Sequence, residues 1–149
     1  MALDPEPAET AHVVERLAEL MIELCQRAHE DVAPTISEDQ VRGLLAMGGE
    51  PTDPDHFAAE LGVSLSAATK LLNRLEGRTL VRRLPAGQFC VTGAGKCVLE
   101  ALRQRRRQLL DRALVTVDPH DRPVLRDTLD QLHGKVSVLA RVPRPRSRL

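Results

Sequence analysis

Ser66, Ala67, Thr69, Lys70, Asn73 and Arg74 carry the chemistry this sequence offers most clearly. They are small, polar or cationic, and none is acidic. Interleaved with them, Ala68, Leu71, Leu72 and Leu75 recur at helical spacing and form an apolar stripe. The polar residues then share the opposite side of one helix. Such a face donates hydrogen bonds to phosphate oxygens and base edges, and its slim N-terminal end fits the major groove of duplex DNA. Ser64 precedes the run as an N-cap, its hydroxyl placed to accept a first-turn N–H.

The flanking sequence supplies what would position this helix. Asp53-Pro54 opens a preceding helix with proline in its first turn, and Phe57, Ala58 and Leu61 lie on one face of it. Gly62 stops that helix at a place suited to positive φ. After the candidate reading helix come a strand (Leu80–Leu84), a tight turn (Pro85-Ala86-Gly87) and a second strand (Gln88–Thr92). Two amphipathic helices joined by glycine can also be a plain helical hairpin. The strand–turn–strand favours a winged helix-turn-helix, in which Arg82, Arg83 and Gln88 would meet phosphates.

Charge is distributed to suit. The formal net charge of the 149 residues is zero, yet residues 1–60 hold 3 basic and 14 acidic side chains, and residues 61–112 hold 11 and 3. Cation is thus concentrated on the reading helix, the hairpin and the helix after it, as on a phosphate-binding face. The run Arg105–Arg107 taken alone reads as a solvated helix face. With two Phe and neither Tyr nor Trp, the chain lacks stacking platforms for single-stranded nucleic acid.

No apolar run approaches a membrane span, and the acidic, Pro-containing MALDPEPAET lacks the apolar region of a signal peptide. Cys25, Cys90 and Cys97, an odd and unspaced set, predict reduced thiols and a cytoplasmic location. Cys90 and Cys97 lack a CxxC or His-x-x-x-His partner, so no metal site is expected. Cys25 lies beside an apolar helix face and reads as a small core residue. His12, His29, His56, His120 and His133 are scattered. With no Gly-rich phosphate loop, nucleophile elbow or paired carboxylates, neither an enzyme nor a cofactor is predicted.

Residues 1–9 read as a disordered leader, and residues 10–140 as one domain. Within it, residues 37–92 form the DNA-binding lobe, and residues 10–30 and 93–140 the dimerisation helices. The basic tail 141–149 is Pro/Arg-rich. Thr10 caps a long helix with Val13, Val14, Leu17, Leu20, Met21, Leu24 and Ala28 on one side. Ser37 and Gln40 form a capping box for a short helix ended by Gly48-Gly49. Thr92 caps a basic helix to about Val117, with Leu99, Leu102, Leu109, Ala113 and Leu114 as its buried stripe. A last helix, about Asp121 to Ala140, places Leu125, Leu129, Leu132, Val136 and Leu139 along a narrow seam. Long helices with apolar faces and no sheet to cover them predict a homodimer, held by Leu17, Leu20 and Leu24 with that seam, the alternative being an intramolecular bundle of the three long helices.

The chain resembles MarR-family transcriptional regulators. The resemblance rests on LGVS at 61–64, SAATKLLNRLE at 66–76, LVRR at 80–83 and VTGAGK at 91–96, and the helix order extends it over residues 10 to 140. It implies a mainly α, winged helix-turn-helix protein with long N- and C-terminal dimerisation helices and a short two-stranded wing. It also implies a homodimer on a near-palindromic duplex, with Ser66, Ala67, Thr69, Lys70 and Arg74 at DNA-touching positions. A small-molecule effector pocket lies between the dimerisation and DNA-binding regions in many members, and one branch senses organic peroxides through an N-terminal cysteine assisted by tyrosines, which this chain lacks. The chain departs from the family at three places. The wing tip Leu84-Pro85-Ala86-Gly87-Gln88 has no arginine for the minor groove, Thr79 stands where glycine is usual, and Thr92-Gly93 replaces Thr-Pro. The expected function is duplex-DNA-binding transcriptional regulation, as a repressor. The alternative is a winged-helix protein-interaction module with weak or no specific DNA binding because of the shortened wing.

Overall fold

A computed structural model describes residues 5–140. Its elements are α1 (Pro5–Val32), α2 (Glu38–Met47), α3 (Pro54–Leu61), α4 (Leu65–Gly77), β1 (Val81–Arg83), β2 (Phe89–Val91), α5 (Gly93–Leu114) and α6 (Arg122–Ala140). The fold is mainly α, a winged helix-turn-helix between long helices. Two compact units divide it, one ending at Leu109 and the other beginning at Leu110.

Local chemistry sets most boundaries of the first unit. The Ser37 hydroxyl accepts the Gln40 N–H at 3.2 Å and the Gln40 side chain accepts the Ser37 N–H at 2.9 Å, a complete capping box on α2. Asp53 caps α3 through the His56 N–H at 2.8 Å. Gly62 closes α3 in the left-handed region at φ 67°. These helices turn Leu44, Phe57, Leu72 and Leu75 inward, and Phe89 of β2 closes the same core, each 2% exposed or less. Burying a side chain of this size stabilises the fold by about 1.5–3 kcal/mol. The β1–β2 ladder pairs Val81 with Val91, Arg82 with Cys90 and Arg83 with Phe89. Thr52 adds a further bridge, exchanging backbone hydrogen bonds with Phe89 at 2.9 and 2.8 Å.

Several boundaries differ from expectation. Residues 5–9, expected in a disordered leader, are the first turns of α1, which also runs on to Val32. A proline can open a helix because first-turn N–H groups have no intrahelical partner. The strands are three residues long, extended only by single bonds from Thr92 N–H to the Leu80 carbonyl and from Leu84 N–H to the Gln88 carbonyl. The helix expected to reach Val117 stops at Leu114. The β-branched run Val115-Thr116-Val117 disfavours helix, and the Thr116 hydroxyl donates to the Ala113 carbonyl instead. Of the stripe expected to be buried on α5, Leu99 and Leu102 are buried, Leu109 is half-buried, and Ala113 and Leu114 are exposed. Residues 141–149, expected as a basic tail, lie outside the described residues.

In the second unit α6 buries none of its residues. Leu125 and Leu132 are half-buried, and Leu129, Val136 and Leu139 are exposed. On α1, in the first unit, Leu17 is 47% and Leu20 58% exposed, and Leu24 is half-buried.

Candidate nucleic-acid interface

Helix α4 presents the residues singled out from sequence. The Ser64 hydroxyl accepts the Ala67 N–H at 3.2 Å and caps the helix. Ala68, Leu72 and Leu75 are buried, which orients the helix. Ser66, Ala67, Lys70, Asn73 and Arg74 lie exposed on its outer side, and Thr69 is half-buried with its hydroxyl donating to the Leu65 carbonyl at 2.8 Å. The first turn holds no acidic residue to offset the positive end of the helix dipole, and Lys70 and Arg74 add cations further along the same face. The arrangement can donate hydrogen bonds and present positive potential to an anionic, ridged surface.

The wing follows at once but is differently engaged. Arg82 is exposed and its Nε–H donates to the Cys90 Sγ, the residue opposite in the ladder, at 3.2 Å. Arg83 turns towards α4: Nη2 donates to the Asn73 Oδ1 at 3.2 Å and lies 3.5 Å from a Glu76 carboxylate oxygen. Its guanidinium also lies 4.7 Å from the centroid of the Phe89 ring. Pro85-Ala86-Gly87 form an exposed tip, closed by the Gly87 N–H to the Leu84 carbonyl at 3.0 Å, and Gln88 is half-buried. Asn73 and Arg83, each expected from the sequence to contact DNA, are hydrogen-bonded to each other.

The backbone arrangement is that of known regulators. A MarR family protein from Bacillus stearothermophilus aligns over 91% of this chain and 99% of its own, with a TM-score of 0.78 and 17% identity. The chain has the MarR-type winged-helix fold. A transcriptional regulator from Thermotoga maritima matches with a TM-score of 0.74 and 21% identity, covering 89% of this chain and 96% of its own. A variant of the Staphylococcus aureus regulator MepR, in a structure bound to an oligodeoxyribonucleotide, matches with a TM-score of 0.63 and 14% identity over 85% and 97% of the two chains. No family model and no curated protein matches the sequence.

Within this MarR-type frame the basic run on α5 is engaged internally. Arg105 Nε donates to the Asp31 carboxylate at 2.8 Å, Arg106 Nη1 lies 3.9 Å from the Cys25 Sγ, and Arg107 pairs with Glu100 at 3.7 Å. Cys25, expected in the core, is half-buried instead. It lines an open, mostly apolar cleft of about 360 Å³ together with Met21, Ile22, His29, Val41, Leu45, Arg42 and Arg106. The gap between α1 and α2, bridged by a His29 Nε2 hydrogen bond to the Ile36 carbonyl, leaves that wall open. Arg42 stands in a segment whose acidic excess conceals it in the sequence. It is exposed on α2 and lines a second groove shared with Lys70 and Arg74. Among the described residues, no three of His, Cys, Asp or Glu group as a metal site, and no helix is long and apolar enough to cross a membrane.

Proposed function

We propose that the protein is a homodimeric, sequence-specific duplex-DNA-binding transcriptional regulator, acting as a repressor and not as an enzyme, in the cytoplasm. The observation that carries this reading is the outer face of α4, where Lys70 and Arg74 stand exposed beside the small donor Ser66 with no carboxylate in the first turn. Ser64, Ser66, Ala67, Thr69, Lys70, Asn73 and Arg74 read one half-site of a near-palindromic operator through the major groove, and Arg82 with Gln88 touches flanking phosphates. The apolar residues exposed on α1 and on α6 support the dimer, since α6 holds no fully buried residue. The apolar cleft beside Cys25 and Arg106 has the size and lining of a small-molecule effector site.

One observation favours a second reading, a winged-helix protein-interaction module. The wing tip carries no cation, and one of the two wing arginines is engaged at the surface by Asn73 and Glu76. A mobility-shift assay on the protein's own upstream region at two salt concentrations separates the readings. Tight binding that falls steeply with salt supports the regulator, and salt-insensitive or absent binding sinks it in favour of the interaction module.

A further inference from the structure

Arg42 lies outside the helix-turn-helix, in a segment where acidic residues far outnumber basic ones. Its side chain nevertheless forms one wall of a groove of about 310 Å³ whose other wall is the outer face of α4 and its cap: Ser64, Ser66, Ala67, Lys70 and Arg74. Three cations therefore converge on one concavity from two helices. The first turn of α4 borders the same space, its Ala67 N–H already taken by the Ser64 hydroxyl. The carboxylate in the groove is Asp39, 3.9 Å from Arg42 Nη1, with the two side chains 71% and 63% exposed. An ion pair so solvated holds the guanidinium loosely.

We propose that Arg42 is a DNA contact, holding a backbone phosphate of the duplex against α2 while α4 occupies the major groove. The proposal rests on the DNA-binding reading above and extends the interface beyond the helix-turn-helix and wing. A phosphate, and not a base edge, is the partner because Lys70, Arg74 and the first turn of α4 form the opposite wall of the groove. A side chain arriving from α2 meets the strand that passes over the groove, where Arg42 adds to the positive potential of Lys70 and Arg74 on the facing wall. Release of Asp39 on phosphate binding opposes the gain only weakly, given its exposure.

The test is fluorescence anisotropy of the operator duplex and of an unrelated duplex over a salt series, with the intact protein and its Arg42→Ala, Arg42→Lys and Lys70→Ala variants. Thermal melting confirms that each is folded. Arg42→Ala is expected to weaken both duplexes several-fold by the same factor, and to reduce the salt slope by about 1 for each protomer bound. Arg42→Lys, which keeps a point charge, retains the slope. An unchanged slope and affinity in Arg42→Ala, with Lys70→Ala impaired, overturns the proposal and leaves the DNA-binding reading standing. A loss confined to the operator assigns Arg42 to a base edge and overturns it as well. Inorganic phosphate binding lost in Arg42→Ala without any change in duplex affinity would make the groove a free-anion site. Absence of salt-dependent duplex binding by the parent protein removes both the proposal and the reading beneath it.

Discussion

Arg83 of β1 donates through Nη2 to the Oδ1 of Asn73 on α4 at 3.2 Å, while its guanidinium rests 4.7 Å from the Phe89 ring centroid. The wing is thereby tied to the reading helix by one side chain that also lies against its own cross-strand neighbour. A lysine could keep the charge but offers neither the planar face nor the forked donors.

If Arg83 acts as this tie, Arg83→Lys and Arg83→Ala weaken operator binding alike, by about 1 kcal/mol, the size of a half-exposed hydrogen bond with a cation–π contact. Arg82→Lys stays near the parent, because a phosphate accepts either cation. Anisotropy titrations on the three variants decide. An Arg83→Lys protein that binds as tightly as the parent would mean that the guanidinium leaves Asn73 and meets phosphate directly.

Thr79 is the one non-glycine among the described residues with positive φ, at 60°. It follows α4 in the left-handed position where a β-branched side chain is strained by about 1–2 kcal/mol. Its N–H reaches the Glu76 carbonyl at 2.9 Å and its own carbonyl accepts the Thr92 hydroxyl at 2.6 Å, contacts that glycine keeps, and only the exposed hydroxyl bond to the Arg78 carbonyl is lost. Thr79→Gly should therefore stabilise the protein by about 1 kcal/mol, less the greater freedom of glycine in the unfolded chain. Scanning calorimetry should show a melting temperature raised by a few degrees, and a lowered one would indicate that the strain is absent.

Gly95, in the first turn of α5, has the opposite sign. A Cβ there would stand 2.4 Å from the Leu80 carbonyl oxygen and 2.6 Å from Val91 Cγ1. The oxygen belongs to backbone that also accepts the Thr92 N–H, so it cannot move aside without loosening the wing. Gly95→Ala should cost about 3 kcal/mol, at the upper end for overpacking. Denaturant titration checks this, with Gly134→Ala as a control because a Cβ there meets nothing within 4 Å.

What was legible beforehand was local. Ser37 with Gln40, Asp53 with Pro54, Gly62 and Ser64 each act within four residues, and each stands where its chemistry places it. The stripe through Ala68, Leu72 and Leu75 fixed which side of α4 faces outward. Contacts distant in sequence were not legible. The Arg83–Asn73 bond, the Asp31–Arg105 pair and the approach of Gly95 to Leu80 depend on how elements pack, to which periodicity is blind. Arg42 was hidden because charge counted by segment averages away a single cation placed at the right wall. Thr79 was visible only as a departure from the family's glycine, and its φ gives that departure a physical meaning.

The dimer should rest on α6 as well as α1. Leu132 is half-buried and its seam neighbours Leu129 and Val136 are 42% and 49% exposed in the single chain. Leu132→Asp would place a carboxylate in the middle of a dimer seam, where an unpaired charge is strongly disfavoured. Light scattering should give a dimer mass for the parent and a monomer or aggregated, unfolded protein for the variant. A parent that scatters as a monomer at micromolar concentration would remove the dimer.

Lys70 and Arg74 provide the sharpest measurement of the reading helix, because both are exposed on α4 and, among the described residues, neither is held by a partner side chain in the way Arg83 is. Lys70→Ala and Arg74→Ala should each weaken operator binding by roughly 1–3 kcal/mol if a base edge is lost. A phosphate contact instead costs the same on every duplex and flattens the salt dependence by about 1. The wing tip gives the contrast. Ala86→Ser, at an exposed position with no cation nearby in the turn, should leave affinity unchanged. Hydroxyl-radical footprinting of the parent should then show protection centred on the major groove with little on the flanking minor grooves. Strong flanking protection that disappears with Arg82→Ala would place the wing in the minor groove after all, and parent-like binding by both α4 variants would take the reading helix out of the interface.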